Sequence, residues 1–274
     1  MSEQDILDQS PLGNGTVYIN EYTPDLLFPI QRDLNWKNRG IERASLPFVG
    51  EDIWNGYEVS WLNPKGKPVV RVASFFIPAD SQSIVESKSF KLYLNSFNLS
   101  RFDSDDSVIN QMQKDLSAST GGAVRVELYH PDQMPGLSCF EGECLDELDI
   151  TVDDYQPAPH LLSVGKNKVT QALYSHLLKS NCPVTGQPDW ASIQVQYTGL
   201  EIDREGLLKY FISYREHGDF HEQCVENIFM DIWQRCQPES LTVYARYVRR
   251  GGLDINPVRS SEPVKPLNLR LSRQ

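Results

Sequence analysis

No stretch of about eighteen consecutive apolar residues occurs in this 274-residue chain, which excludes a transmembrane helix. No GxGxxG is present, so a Rossmann dinucleotide site is excluded, and no CxxC supports a thiol-exchange centre. His221-Glu222 lacks the second histidine of HExxH, because Val225 stands there, and Cys139 and Cys144 have no paired Cys or His motif beside them. The expectation is therefore no metal. Basic residues are also short: 26 Lys and Arg against 37 Asp and Glu leave a formal charge of −11, which argues against a surface that tracks nucleic-acid phosphates. Met1 to Pro11 is polar and acidic, without the basic start and apolar core of a targeting segment. Five scattered cysteines form an odd set that reads as reduced thiols, so cytoplasm is the expected compartment.

What is present suffices for a large core, in one broad domain or two half-sized modules. Tyr57, Val59 and Trp61 alternate with polar residues, turn at Asn63-Pro64-Lys65-Gly66, and return from Val69 to Pro78, the pattern of a β-hairpin. Phe90, Tyr93, Leu94 and Phe97 have helical spacing, Ser107 to Leu116 reads as a polar helix, and Val124, Val126 and Leu128 alternate into a strand. Leu148 to Val152 is expected to be its partner.

The second half repeats that plan without repeating the sequence. Ile193, Val195 and Tyr197 mark a strand and Leu207 to Tyr214 is read as its return. Val225, Ile228, Phe229 and Ile232 mark a helix from about Phe220, and Leu241 to Tyr247 alternates into a strand that turns at Gly251-Gly252. A proline-containing connector at 156–167 and a helix from Val169 to Lys179 complete the expectation. The fold class is thus α+β with a duplicated module, residues 1–155 and 156–274, of antiparallel sheets with helices on one face.

Asn181 to Trp190 is the most telling segment. It sets the Cys182 thiol seven residues before the Asp189 carboxyl on a loop turned by Pro183, Gly186 and Pro188. A thiolate that adds to an electrophile needs an acid nearby, so the pair suits covalent catalysis; alone, Cys182 is equally a small buried hydrophobe and Asp189 a turn former. The expected helix ending near Ser180 would present its negative pole to Cys182 and oppose a thiolate. Ser83-x-x-Glu86 and Asp219-x-x-Glu222 have capping-box spacing, and each glutamate is either a helix cap or a carboxylate for a guanine-like ring. Capping and recognition compete for the same oxygens.

Val85-Glu86-Ser87-Lys88-Ser89-Phe90-Lys91-Leu92-Tyr93-Leu94 closely resembles the signature of the queuosine-pathway nitrile reductases. The Cys182 to Asp189 loop and the Phe220-His221-Glu222 step are similar to that family's catalytic loop and substrate step, and the resemblance to its two-module form spans nearly the whole chain. It implies the tunnelling fold, NADPH as cofactor, 7-cyano-7-deazaguanine as substrate, and reduction of its nitrile to the aminomethyl group through a covalent Cys182 thioimide with Asp189 as acid. It also implies substrate contacts from Val85, Glu86, Ser87, His221 and Glu222, cofactor contacts from Ser87, Lys88, Arg250 and Gly251, and a homodimer. A zinc cyclohydrolase of the same fold and a non-catalytic purine-binding module are the alternatives.

Overall fold

The computed structural model describes residues 18–134 and 136–274, so Met1 to Pro11 lies outside the described residues. They form two compact units. Of these residues, one unit holds 18–46, 51–134, 136 and Arg249–Asp254; the other holds Pro47–Gly50, Leu137–Val248 and Ile255–Gln274.

The first unit contains β1 (Pro29–Gln31), α1 (Asp33–Asn38), β2 (Val49–Leu62), β3 (Pro68–Pro78), β4 (Ser83–Val85), α2 (Ser87–Ser96), α3 (Asp105–Thr120) and β5 (Arg125–Tyr129). β2 and β3 are the expected hairpin, closed by Asn63, whose Oδ1 accepts from the N–H groups of Lys65 and Lys67 at 3.0 Å. β5 pairs antiparallel with β3. The apolar stripe of α2 lies on this sheet: the Phe90 ring stands 5.1 Å from Trp54 and 4.9 Å from Phe75, edge-on. Such pairs add about 0.5–1.5 kcal/mol each beyond the area they bury. On α3, Val108, Met112 and Leu116 recur every fourth residue and are buried, and Ser104 caps the start.

The second unit contains β6 (Glu143–Cys144), β7 (Val164–Ser175), β8 (Lys179–Asn181), β9 (Pro188–Ile202), α4 (Arg204–Ser213), α5 (His221–Cys236), β10 (Ser240–Tyr247) and β11 (Leu253–Ser260). Its strands run in the order β11-β10-β9-β7-β6, antiparallel except for the β6–β7 pair, and β8 pairs separately with β9. Each unit is thus a hairpin, two helices and returning strand, an α+β plan with antiparallel sheets.

Three expected elements differ. Val169 to Lys179 is strand through Ser175, because residues of β7 pair across β9 from Lys168 to Ser175. Leu207 to Tyr214 is not a strand: α4 covers Leu207 to Ser213 and a 3-10 turn continues from Tyr214, started by Asp203, whose Oδ2 accepts from Gly206 N at 2.7 Å. Leu148 to Val152 forms no strand; the short β6 upstream pairs with β7 instead.

Candidate active site

Cys182 follows a strand and not a helix, which removes the opposing helix pole expected from the sequence. β8 and β9 pair Ser180 with Asp189 and Asn181 with Pro188. The ladder continues one step, as Cys182 N donates to Gln187 O at 2.9 Å and Gly186 N donates to Cys182 O at 3.0 Å, enclosing the tip Pro183–Gly186. Gly186 takes φ +66, which the left-handed turn requires of a residue without Cβ. Side chains alternate along a strand and directly opposed residues share a face. Ser180, Cys182, Gln187 and Asp189 therefore project together, and Cys182 and Asp189 are diagonal neighbours, both buried.

That face meets the start of α5. His221 Nε2 lies 3.4 Å from Asp189 Oδ2, Nδ1 lies 3.3 Å from Ile255 O, and the imidazole stacks on the Tyr247 ring at 3.7 Å. A carbonyl oxygen only accepts, so Nδ1 carries a hydrogen; Nε2 facing a carboxylate oxygen is then favourable when one further proton is shared between ring and acid. Next to them sits Cys224. Burial, then the negative charges of Asp219 and Asp189, push its thiol well above the ordinary range, so Cys224 stays protonated and is no nucleophile. The buried Ser180 and Tyr247 hydroxyls, which have no well-formed hydrogen bond, both adjoin Cys224. Sequence reasoning missed Ser180 and Tyr247; the expected helix ending near Ser180 hid the alternation that sets Ser180 two residues before Cys182 on one strand face.

Gln223 and Asp219 serve the α5 cap. Phe220 N donates to Gln223 Oε1 at 3.2 Å and to Asp219 Oδ1 at 3.1 Å, one residue off the expected box. Glu222 is buried in the first turn, where the positive end of the helix favours a carboxylate. Lys179, a candidate to support the thiolate, is held elsewhere: its Nζ donates to Asn181 Oδ1 and Arg215 O at 2.6 Å.

In the first unit Glu86 is itself the α2 cap, and Ser83 lies in β4 outside the cap. Lys88 N donates to Glu86 Oε1 at 2.6 Å and Ser89 N to Oε2 at 2.8 Å. Burial raises the Glu86 pKa above the usual carboxylate range, opposed by those two N–H groups. Each oxygen still keeps a second lone pair. Val85 is buried in β4 opposite Pro29.

Arg250 and Leu253 exchange backbone hydrogen bonds of 2.8 and 3.2 Å around Gly251 (φ +59) and Gly252 (φ +82), the two left-handed positions of a tight turn. A Cβ on Gly251 would stand 3.2 Å from Lys91 Cδ and Cε. The turn thus lies against α2, which carries Ser87, Lys88 and Lys91. Lys91 was not assigned from sequence, although its i, i+3 spacing from Lys88 places both on one helix side. Tyr57 steadies the turn: its N donates to Gly252 O at 3.0 Å, its hydroxyl to Asp254 Oδ2 at 2.7 Å, and Arg249 lies 4.3 Å over its ring. The structure thus groups Cys182, Asp189, His221 and Glu222 in one unit, and Val85 to Lys88 with Arg250 and Gly251 in the other.

Comparison with known proteins names the chemistry. Residues 18–128 match the family described as nitrile reductase, 7-cyano-7-deazaguanine-reductase N-term, and residues 188–265 match that described as QueF-like protein. The chain is 56% identical over 257 residues to the NADPH-dependent 7-cyano-7-deazaguanine reductase of Azoarcus sp. (strain BH72), covering 93% of this chain and 92% of that protein. It is 57% identical over 270 residues to that of Dechloromonas aromatica (strain RCB), covering 97% and 95%. It is 52% identical over 279 residues to that of Chromohalobacter salexigens, covering both fully at 100%. Among solved structures, the archaeosine synthase QueF-Like in the apo form aligns at 19% identity with a TM-score of 0.32, over 37% of this chain and 99% of that one.

Proposed function

The chain belongs to the family of NADPH-dependent 7-cyano-7-deazaguanine reductases, and from that premise we propose how its residues carry out the reaction. The protein is an oxidoreductase that uses NADPH to reduce the nitrile of 7-cyano-7-deazaguanine to the primary amine, in the queuosine pathway. Cys182 is the nucleophile. Its sulfur adds to the nitrile carbon while Asp189 gives a proton to the nitrile nitrogen, forming a thioimide. The carrying observation is the shared hairpin face of Cys182 and Asp189, with His221 Nε2 3.4 Å behind the carboxyl to hold and replace the proton. Four electrons are needed, so two hydrides are consumed: after the first the adduct expels the Cys182 sulfur to leave an imine, and the second completes the amine. Burial of Ser180, Cys182 and Asp189 keeps water from the imine, whose hydrolysis would give an aldehyde.

Glu222, buried in the first turn of α5, accepts from the N–H edge of the heterocycle, as the family pattern assigns. Val85, Glu86 and Ser87 are assigned to substrate on the family pattern, and the second lone pairs of the Glu86 oxygens leave it capable of accepting there.

NADPH supplies hydride when bound. Its polyanionic part fits the grouping of Ser87, Lys88, Lys91, Arg250 and Gly251, a local concentration of cations in a chain of net charge −11. Because Glu86 already occupies the Lys88 and Ser89 N–H groups, phosphate contacts come from side chains at the flank of α2 and not from its axis. The close Gly251–Lys91 approach positions that ammonium.

The acidic balance favours the free base over tRNA as substrate, and five scattered thiols suit the cytoplasm. β5 and β7 leave sheet edge to be covered, which supports a homodimer; light scattering of the purified chain reads that directly. Intact-mass spectrometry tests the mechanism. Adding 7-cyano-7-deazaguanine without NADPH should give a covalent increase that is absent in Cys182→Ala, and the parent should oxidise two NADPH per product. An adduct that persists in Cys182→Ala overturns the assignment.

A further inference from the structure

Cys144, without a Cys or His partner in its own segment, acquires one from His176, the residue that follows β7. The sulfur of Cys144, a carboxylate oxygen of Asp146 and a ring nitrogen of His176 all lie within 4.8 Å of one another. Tetrahedral zinc bonds of about 2.0–2.3 Å set ligand atoms about 3.3–3.8 Å apart, so small side-chain rotations bring all three onto one ion.

The framework around these donors is fixed by backbone. Gly142 takes φ +109 where the segment crosses β7, and a Cβ there would stand 2.3 Å from Ala172 O, so only glycine allows that approach. Gln194 Nε2 then donates to Glu141 O at 2.7 Å, Cys144 pairs with Tyr174, and Leu145 N donates to Tyr174 O at 2.9 Å. The Asp146 carboxylate is aimed by Ser175 Oγ at 2.6 Å and by His176 N at 3.0 Å. His176 Nδ1 lies 2.7 Å from Ser192 Oγ. That oxygen already accepts from Arg273 Nη2 at 2.9 Å and has a second lone pair for Nδ1–H, the tautomer that leaves Nε2 bare. With Nε2 as the ligand atom, an imidazole oriented through Nδ1 and a carboxylate held by outer hydrogen bonds are what a metal site requires beyond its ligands.

We propose that Cys144, Asp146 and His176 form a zinc site outside the catalytic hairpin, with water in the fourth position. This departs from the metal-free reading of the sequence, which saw only the local cysteine spacing. The mixed thiolate, carboxylate and imidazole set selects Zn²⁺ over Mg²⁺ or Ca²⁺, which take all-oxygen ligands. On binding, the Cys144 S–H bond breaks, its proton goes to solvent, and the sulfur pair forms the bond to zinc. Two anionic ligands and a neutral imidazole then cancel the charge of the ion, so Arg273 nearby is tolerated. The role is structural. His176 lies three residues before β8, and Arg273 bonds both His176 O and Ala191 O, so the ion ties residues 139–146 to the root of the hairpin that carries Cys182 and Asp189.

The test is Co²⁺ and Zn²⁺ binding by the chelator-stripped full chain. One equivalent of Co²⁺ should give a thiolate charge-transfer band near the ultraviolet and tetrahedral d–d bands, displaced by Zn²⁺. Cys144→Ser should abolish the charge-transfer band and Cys182→Ser should retain it, while His176→Ala weakens Zn²⁺ binding about 100-fold or more. Zn²⁺ should raise the melting temperature of the parent and leave that of Cys144→Ser unmoved. No stoichiometric binding, or a band that survives Cys144→Ser, overturns the proposal.

Discussion

Replacing Asp189 by asparagine isolates the acid role, because the amide keeps the shape of the side chain and removes only its proton. Asp189 is 2% exposed, so bulk water cannot readily substitute as the donor. General acid catalysis contributes about 10²–10⁴ in rate. At about 1.36 kcal/mol per tenfold, the adduct-forming barrier should rise by about 2.7–5.4 kcal/mol. Folding should barely respond: the asparagine Nδ2 can donate to His221 Nε2, which stands 3.4 Å from the replaced oxygen, and a change under about 1 kcal/mol moves the melting temperature by only about 2–4 °C. The assay is a time course of the covalent mass increase with excess 7-cyano-7-deazaguanine and no NADPH, beside steady-state turnover. Turnover number and kcat/KM should fall together, since the proton is needed only in the transition state. Adduct formation within about threefold of the parent, at unchanged melting temperature, would refute the role of Asp189 and of the hairpin geometry in placing it.

Three further outcomes are expected. Gly251→Ala should lower the melting temperature by about 2–8 °C, since the left-handed backbone costs about 1–2 kcal/mol, and should raise the KM for NADPH as the added Cβ, 3.2 Å from Lys91 Cδ and Cε, pushes Lys91 aside; an unaltered KM separates the turn from the cofactor. Glu222→Gln should raise the KM for the deazaguanine about 10–100-fold, the worth of a charged hydrogen bond, and an unchanged value returns that carboxylate to a purely structural role. Burial pushes the Cys236 thiol up to about 11, leaving about 0.1% thiolate at pH 8, and Cys224 stays protonated as well. Iodoacetamide at pH 8 should therefore label the exposed Cys139 and spare Cys224 and Cys236 until denaturant is added; equal labelling of Cys236 and Cys139 in the folded chain contradicts that burial.

Where one face of an element meets water, its residues announce it. Phe90 and Tyr93 on α2 and Phe97 at its C-cap are buried while Lys91 and Asn95 are not, and the helix is legible from that contrast. On α4, Leu207, Leu208, Tyr210 and Phe211 are all buried, which erases the stripe and mimics a strand; only Asp203, at its cap, marks the true start. β7 fails in the opposite sense. Its stretch from Val169 to Ala172 is exposed or half-buried, so a partly solvated strand without strict alternation reads as a helix. The thiol and acid of the candidate site were legible because both lie in one turn-rich decapeptide. Tyr247 and the Asp146–His176 grouping were not, since their partners come from distant strands whose register no local pattern encodes.

The hairpin that bears Cys182 also says where related chains are free to vary. What keeps sulfur and carboxyl on one side is parity: two steps from Ser180 to Cys182 on one arm and two from Asp189 to Gln187 on the other. The tip between them enters neither count, and its one backbone demand is the left-handed Gly186 at φ +66. Evolution can therefore rewrite or lengthen residues 183–185 with the chemistry intact, whereas deleting a single residue from either arm would turn thiol and acid back to back.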